Sequence, residues 1–228
     1  MKINCGKKLD AIRYHYVLFD LDGTILDSEG VSAFATNYAF KKVLGRELTE
    51  SEEKSLIGRP VKYILKDWYG ETGEEIYRIG STYFNQQAAV IRPYRGIKTL
   101  IADLYHKGAK MAVVTTSHTE NSLKLLKLNG ILRYLVTVIG QEDTERHKPD
   151  PDPILLALQR MRYNGSGNAI FVGDQPADIY AARNAGIIDA AALWGAADEE
   201  VIESCKPKYT FKKIRDFREF IFLSDVKK

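Results

Sequence analysis

The stretch VLFDLDGTILDS, residues 17–28, carries the pattern that decides the fold. Its apolar run ends in two carboxylates set two positions apart, Asp20 and Asp22, and Gly23 and Thr24 follow directly. A continuous apolar run that stops at a turn signal is typical of a strand buried on both faces of a sheet. The sequence therefore predicts a buried strand over residues 16–20, with two acids at its carboxyl end.

Strands and helices alternate along most of the remaining chain. Apolar residues recur at helical spacing over residues 96–107, and Gly108 then supplies a stop signal. Apolar strands that alternate with helices imply a parallel sheet covered on both faces, so we predict an α/β fold with a Rossmann-like, doubly wound parallel sheet. The other predicted helices cover residues 119–129, 153–162 and 176–185, and the other strands cover residues 111–115, 134–139, 169–173 and 190–194.

Residues 28–91 interrupt this alternation, because no part of them reads as a strand. The tetrad TESE at residues 49–52 is a capping-box pattern that starts a helix. Apolar positions indicate further helices over residues 31–43, 61–68 and, after Gly73, 76–87. We therefore predict two domains: an α/β catalytic core formed by residues 1–27 and 92–228, and a small all-helical cap, residues 28–91, inserted after the first strand.

Polar side chains follow the first four predicted strands at their carboxyl ends. Ligands of a parallel α/β sheet bind at the carboxyl ends of the strands, so we expect these side chains to converge on one rim. They are Asp20 and Asp22 after the first strand, Thr115, Thr116 and Ser117 after the second, His147 and Lys148 after the third, and Asp174 with Asp178 after the fourth.

The types of residue at this rim indicate a metal and an anion. Carboxylates brought close together repel one another unless a cation lies among them. Ligands that are all oxygen suit Mg²⁺, which keeps room for the oxygens of a substrate. A lysine and hydroxyl groups beside that ion indicate an anionic guest, and a phosphate fits both the charges and the donors.

Four motifs give the chain a recognisable resemblance. FDLDGTILDS, VVTTS, KPDPDP and VGDQPADI occur in the order of the four motifs of the haloacid dehalogenase superfamily. The chain resembles the phosphoglycolate-phosphatase-like members, which carry a helical cap after the first strand. The resemblance implies a phosphoric monoester hydrolase that uses Mg²⁺ as cofactor.

The resemblance also implies a role for each matched residue. Asp20 would be the nucleophile that takes the phosphoryl group, and Asp22 the general acid and base. Thr115, Thr116 and Lys148 would bind the phosphate, with Thr115 and Lys148 also counted among the catalytic residues. The implied metal ligands are Asp20, Asp22 through its backbone carbonyl, and Asp174. Asp178 would contact these ligands rather than the metal.

Two cations of the predicted cap, Arg59 and Lys62, follow Gly58. They have two interpretations: either they meet an anionic group of the substrate, or they are solvated charges at the start of a helix. The cap closes over the leaving group in such enzymes, so these residues bear on the choice of substrate.

The implied function is a Mg²⁺-dependent phosphatase that hydrolyses a small phosphomonoester, phosphoglycolate-like or a sugar phosphate, through an aspartyl-phosphate. A sugar-phosphate mutase of the β-phosphoglucomutase type and an inorganic pyrophosphatase are the alternatives. A haloacid dehalogenase would need neither Asp22 nor a metal. A signalling receiver domain carries its acid pair and its phosphorylated aspartate on different strands, whereas Asp20 and Asp22 follow one strand.

The composition and charge limit the classes of partner that we expect for this chain. The 228 residues are 45% hydrophobic and carry a net charge of +3, which is far from the basic profile of a nucleic-acid binder. We predict an edge strand and a terminal helix for the basic, aromatic segment 206–218, and lone thiols for Cys5 and Cys205. With neither a signal-peptide pattern nor a membrane-spanning run, we expect a cytoplasmic monomer or homodimer, with no nucleic-acid or membrane partner.

Overall fold

The computed structural model describes residues 11–166, 168–195 and 197–223. Its strands are short and distributed along the whole of this range. They are β1 (Ala11–Ile12), β2 (Tyr16–Phe19), β3 (Leu26–Asp27), β4 (Arg92–Pro93), β5 (Lys110–Val114), β6 (Thr137–Ile139), β7 (Ala169–Gly173), β8 (Ile188–Ala192), β9 (Tyr209–Phe211) and β10 (Phe222–Leu223).

Helices connect most of these strands. In chain order they are α1 (Glu29–Leu44), α2 (Glu50–Leu56), α3 (Val61–Tyr69), α4 (Glu71–Gln86), α5 (Ile97–His106), α6 (Thr119–Leu128), α7 (Asp152–Arg160), α8 (Pro176–Asn184), α9 (Glu199–Ser204) and α10 (Ile214–Ile221). The strands and helices predicted for the α/β part of the chain are therefore present, with ends that differ by a few residues.

Six strands form one parallel sheet in the order β6-β5-β2-β7-β8-β9. From β2 the chain proceeds outward through β5 and β6 on one side, and then returns to β7 on the other side. The strand order reverses between β2 and β7, which makes the carboxyl ends of these two strands a topological switch point. The predicted acids follow these two strands.

Burial on both faces explains why β2 is apolar throughout. Val17 and Phe19 pack into the core cluster on one face of the sheet, whereas Leu18 packs into the cluster on the other face. All three side chains are fully buried, as the alternation of side chains along a strand requires. This strand therefore stands at the centre of the core, and the acids that follow it are held on a rigid base.

The insertion after β2 is helical, as predicted, and consists of α1 to α4. The predicted capping box is present: the Thr49 hydroxyl accepts a hydrogen bond from the Glu52 N–H at 3.2 Å, and the Glu52 carboxylate accepts one from the Thr49 N–H at 2.8 Å. The start of α4 differs from the prediction, because Gly73 lies inside its first turns. A Cβ at Gly73 would collide with the Leu65 carbonyl, so glycine is needed there for close packing against α3 rather than as a boundary.

Two small antiparallel ladders escaped prediction. At the base of the insertion, β3 pairs with β4 through Leu26–Pro93 and Asp27–Arg92, and β1 pairs with β10 near the chain ends. Two-residue strands carry no periodicity that a sequence pattern could show. The division into a core of residues 1–27 and 92–228 and a cap of residues 28–91 stays a prediction, and residues 1–10 and 224–228 lie outside the described range.

The basic segment at the end of the chain forms structure of the predicted kind. β9 is the edge strand of the sheet, and α10 packs Phe217 and Ile221 into the core. Cys205 is a free, buried thiol, as predicted, whereas Cys5 lies outside the described residues. Among the described residues, no helix combines the length and the apolar character that crossing a membrane requires.

Candidate active site

A buried ion-pair network lies at the switch point of the sheet. The Lys148 ammonium donates to the Asp20 carboxylate and to the Asp178 carboxylate, each at 2.6 Å. Asp20 follows β2, Lys148 lies in the loop after β6, and Asp178 lies in the first turn of α8. These three side chains are almost completely buried, so their charges interact with little screening from water.

Burial and neighbouring charge act against each other in this network. Burial raises the pKa of Asp20 well above its ordinary range, the Lys148 ammonium opposes that rise, and the nearby carboxylates add to it. Burial lowers the pKa of Lys148, but Asp178 and Asp20 outweigh burial and raise it overall. Lys148 therefore stays charged, and it is the cation that holds Asp20 in place.

Asp174 is fully buried beside this network at the carboxyl end of β7. Its two carboxylate oxygens accept hydrogen bonds from the Thr24 hydroxyl and from the Gln175 amide, both at 2.8 Å. Burial raises the pKa of Asp174 to about 8, and the Asp178 and Glu29 carboxylates contribute to the rise. A Cβ at Gly23 would collide with the Asp174 carboxylate, so the turn after β2 leaves space that only glycine permits.

The acids fit a hard cation. Oxygen atoms of Asp20, Asp174 and Asp178 lie within 4.8 Å of one another, and Lys148 compensates only part of their charge. Both oxygens of Asp178 already accept hydrogen bonds, one from Lys148 and the other from the Gln175 N–H at 3.0 Å. Asp178 is thus tied to the Lys148 ammonium and to the start of α8, which suits a supporting role. Lys148 contacts one oxygen of Asp20, and the oxygens of Asp174 accept from the uncharged Thr24 hydroxyl and Gln175 amide, so these two carboxylates suit Mg²⁺ as ligands.

Asp22 lies apart from this acid cluster and faces two serines. Its carboxylate accepts a hydrogen bond from the Ser28 hydroxyl at 2.5 Å and another from the Ser117 hydroxyl at 2.6 Å. Asp22 is half-buried, so water and substrate can reach it. The two acids that follow β2 thus have different surroundings: Asp20 contacts an ammonium, and Asp22 contacts hydroxyls.

A cavity of about 370 Å³ connects these groups with the helical insertion. Its lining includes Asp20, Asp22, Thr115, Thr116 and Lys148 from the α/β part of the chain, and Glu29, Glu53 and Arg59 from the insertion. A smaller cavity of about 110 Å³ adjoins it, again with Asp22 and Arg59 in the lining. Lys62 is not among the described residues that line these two cavities. Its ammonium lies 6.0 Å from the centre of the Tyr63 ring.

The helical insertion contacts the α/β part of the chain beside the cavity. The Gln141 amide, in the loop after β6, donates to the Tyr77 hydroxyl of α4 at 3.0 Å. A Cβ at Gly58 would come within 2.7 Å of the Gln175 side chain, which is the side chain that also holds Asp174. The insertion therefore contacts the same loops that carry the acid cluster.

Sequence reasoning missed the side chains that orient the acids. Ser28 and Ser117 contact Asp22, and Thr24 and Gln175 contact Asp174. All four residues lie inside the quoted motifs, so their hydroxyl and amide groups were visible as candidate partners. Their pairing was not visible: Ser117 and Asp22 are 95 positions apart, and a single sequence contains no signal for such a contact.

Comparison with known proteins assigns the family. A family model described as haloacid dehalogenase-like hydrolase matches residues 17–192. The chain belongs to this family. The hydrolase is 35% identical over 196 residues to a Caldanaerobacter subterraneus protein provisionally named pyrophosphatase PpaX, covering 85% of this chain and 88% of the relative. It is 31% identical over 204 residues to a phosphoglycolate phosphatase of Aquifex aeolicus, covering 88% and 93%.

A solved structure supports the same fold. A Haemophilus somnus protein described as a predicted phosphoglycolate phosphatase superposes with a TM-score of 0.80 at 24% identity, covering 90% of this hydrolase and 96% of that chain. At that identity the likeness shows the fold alone. Together the comparisons confirm the predicted superfamily, the α/β fold and the enzyme class, a phosphoric monoester hydrolase of this superfamily.

The pKa of Asp174 leads to a prediction on stability. Because burial raises this pKa from 3.8 to about 8, the folded hydrolase without metal holds a proton that the unfolded chain has released within that window. The contribution of Asp174 to the free energy of unfolding therefore falls as pH rises through the window. A cation at Asp174 would displace the proton, so we expect Mg²⁺ to raise the melting temperature more at pH 8.5 than at pH 6.

The melting temperature, measured at each pH in excess Mg²⁺ and in chelator, checks this expectation. The variant Asp174→Asn keeps the size of the side chain but has no proton to displace. It should lose both the Mg²⁺ effect and its dependence on pH. An equal rise in melting temperature at both pH values would contradict the assignment of Asp174 to the metal.

Proposed function

We propose that the hydrolase is a Mg²⁺-dependent phosphatase that cleaves a small phosphorylated substrate through an aspartyl-phosphate on Asp20. The observation that carries this proposal is the contact of Lys148 with Asp20 at 2.6 Å, on the wall of a cavity that Asp22 and Thr115 also line. A nucleophile, a cation for the phosphoryl oxygens and a group that can exchange protons thus surround one space.

In the first step, an oxygen of Asp20 forms a bond to phosphorus, and the bond from phosphorus to the leaving oxygen breaks. The electron pair of the broken bond stays on the leaving oxygen, which takes a proton from the Asp22 carboxyl. Lys148 and the Thr115 hydroxyl bind oxygens of the transferring group. Its negative charge is therefore matched by donors that the fold already holds in place.

In the second step, a water oxygen bonds to phosphorus and the bond to Asp20 breaks, which releases inorganic phosphate. The carboxylate of Asp22 takes the proton of that water, so it returns to the state in which the cycle began. Splitting the hydrolysis into two displacements is covalent catalysis, and one acid–base group serves both halves.

Asp20, Asp174 and the backbone carbonyl of Asp22 would hold Mg²⁺, as the resemblance implies and the acid cluster supports. When bound, Mg²⁺ supplies positive charge beside the transferring phosphoryl group. Thr24, Gln175 and the space at Gly23 keep Asp174 in the orientation that this role requires.

The presence of Arg59 beside the cavity favours a substrate that carries a second anionic group. Arg59 is among the residues that line both cavities, and a guanidinium suits a carboxylate or a phosphate. The relatives include proteins named phosphoglycolate phosphatase and pyrophosphatase PpaX, whose named substrates each carry such a group. We therefore propose phosphoglycolate-like monoesters and, as the second candidate, inorganic pyrophosphate, ahead of uncharged sugar moieties.

Release of phosphate tests the proposal directly. We expect the hydrolase to release phosphate from phosphoglycolate or pyrophosphate in Mg²⁺, to stop in excess chelator and to resume when Mg²⁺ is restored. A panel that adds sugar phosphates, nucleotides and p-nitrophenyl phosphate ranks the substrates by kcat/KM. Full activity in chelator would overturn the metal assignment, and inactivity on the whole panel would overturn the function.

Two variants of neighbouring cations give the panel a matched comparison. Arg59→Ala should raise KM for substrates with a second anionic group by about ten-fold or more, because one charge-assisted contact is worth about 1.5–3 kcal/mol. Lys62→Ala removes a cation that lines neither cavity and should leave KM unchanged. Equal losses on p-nitrophenyl phosphate and on phosphoglycolate would count against this role of Arg59.

Product analysis separates the phosphatase from the mutase alternative. A mutase returns the phosphoryl group to a second acceptor, so a sugar phosphate would be converted into its isomer with little free phosphate. We expect free phosphate to account for the consumed substrate. The cytoplasmic location, the state as monomer or homodimer, and the lack of nucleic-acid and membrane partners stay predictions.

A further inference from the structure

Both oxygens of the Asp22 carboxylate are held by hydroxyl groups. Ser28, which is fully buried at the base of the helical insertion, donates to one oxygen at 2.5 Å, and Ser117, after β5, donates to the other at 2.6 Å. A carboxylate with both oxygens held in this way has a fixed orientation. Ser117 is the partner that belongs to the rigid sheet side of the cavity.

The backbone of Ser117 is itself fixed. Its N–H donates to the Thr115 hydroxyl at 3.0 Å, and its carbonyl accepts from the Gln141 N–H at 3.0 Å. These two contacts tie Ser117 to the end of β5 and to the loop after β6. The core therefore fixes the backbone of Ser117, and the hydrogen bond to Asp22 fixes its hydroxyl.

A hydroxyl is a partner that suits both protonation states of Asp22. It donates to the carboxylate, and it can rotate to accept from the protonated carboxyl, whereas an ammonium can only donate. Asp20 faces the opposite case, because the Lys148 ammonium at 2.6 Å favours its ionised form. The pair of acids after β2 is thus differentiated by the partners that each one contacts.

We propose that Ser117 is a positioning residue that keeps Asp22 aimed at the reacting oxygens through both halves of the cycle. This inference rests on the proposed function, in which Asp22 gives its proton to the leaving oxygen and later takes one from water. Without the Ser117 hydroxyl, the carboxyl is held from the Ser28 side alone. Proton transfer then becomes inefficient, while binding of the phosphoryl group is unaffected.

The test uses two aryl phosphates that differ in how much their leaving groups need a proton. Single-turnover phosphorylation is measured with p-nitrophenyl phosphate, whose leaving group departs without protonation, and with phenyl phosphate, whose leaving group needs it. Since general acid catalysis contributes roughly 10²–10⁴-fold, Ser117→Ala should slow phosphorylation by phenyl phosphate about ten-fold or more and by p-nitrophenyl phosphate less than about three-fold. Decay of the phosphoenzyme should also slow by about ten-fold.

Three comparisons keep the result interpretable. Ser117→Thr retains the hydroxyl and should restore most of the rate on phenyl phosphate. Ser204→Ala makes the same change at a hydroxyl that donates to the Val201 carbonyl within α9, and it should change the rate on neither ester. Competitive inhibition by inorganic phosphate and the melting temperature should match the parent in all three variants.

Each contrary outcome overturns the inference in a recognisable way. Equal slowing on both esters, with weaker inhibition by phosphate, would make Ser117 a phosphate-binding residue instead. Unchanged rates on both esters would mean that the contact with Asp22 has no catalytic role. If the parent itself forms no phosphoenzyme, the proposed function fails first, and that failure is seen before any variant is compared.

Discussion

Asp20→Asn is expected to release no phosphate above background from any substrate, because the amide offers no charged oxygen to attack phosphorus. The substitution keeps the size of the side chain and leaves Lys148 paired with Asp178. It also removes one acid from a crowded cluster, so the fold should be retained. Turnover is measured by phosphate release in Mg²⁺, and the melting temperature shows whether the variant is folded.

The covalent intermediate provides the second measurement of this prediction. Asp22→Asn keeps its backbone carbonyl but cannot exchange a proton, so it should accept a phosphoryl group from p-nitrophenyl phosphate and release it about 10²–10⁴-fold more slowly than the parent. Mass spectrometry of the quenched variant should then find a phosphate on the peptide that contains Asp20. The double variant Asp20→Asn, Asp22→Asn is the control and should carry no label. A label on another peptide, or parent-like turnover by Asp20→Asn, would contradict the covalent mechanism.

The sequence predicted the parts of the fold that depend on one-dimensional patterns. Strands β2, β5 and β7 are apolar because both faces of the sheet are covered, and that requirement leaves a signal in any single sequence. The pairs β3–β4 and β1–β10 leave none, because each strand has two residues and is defined only by its distant partner. Gly73 misled the prediction of α4, since its reason is contact with α3 rather than local conformation.

The same distinction applies to the candidate site. Parallel strands bring their carboxyl ends to one edge, so the meeting of Asp20, Lys148 and Asp174 could be expected from their positions after strands. The partners that set the chemistry of each acid could not be expected in this way. Whether Asp22 contacts a hydroxyl or an ammonium depends on how the loops after β2, β5 and β6 pack against one another, which no spacing in the sequence encodes.

Lys148→Met is expected to lower the free energy of unfolding more than any other substitution proposed above. Lys148 is almost completely buried and donates to Asp20 and Asp178, so its removal leaves two buried carboxylates without their cation. Removal of one partner from a buried ion pair typically costs about 3–5 kcal/mol of the free energy of unfolding. Phosphate release should be lost as well, because the transferring phosphoryl group loses its ammonium. Lys66→Met is the matched control, since its partner Glu74 and Lys66 itself are both exposed, and its stability should change little.

The cost should also depend on pH, with a sign that follows from the pKa shifts. The pKa of Lys148 is raised on folding, so its stabilisation is fully present below the ordinary pKa of lysine and is lost only as pH rises through the raised value. The parent therefore keeps this contribution from pH 5 to about 9. In the variant, the opposing cation is gone and burial raises the pKa of Asp20 further, so the folded variant holds protons that its unfolded chain has released. Its stability should then fall as pH rises, and urea unfolding in metal-free buffer should find a larger deficit at pH 8 than at pH 5. A deficit that is constant over this range would mean that other donors replace Lys148 at the two carboxylates. Hydrogen bonds, rather than the charge of Lys148, would then stabilise the network.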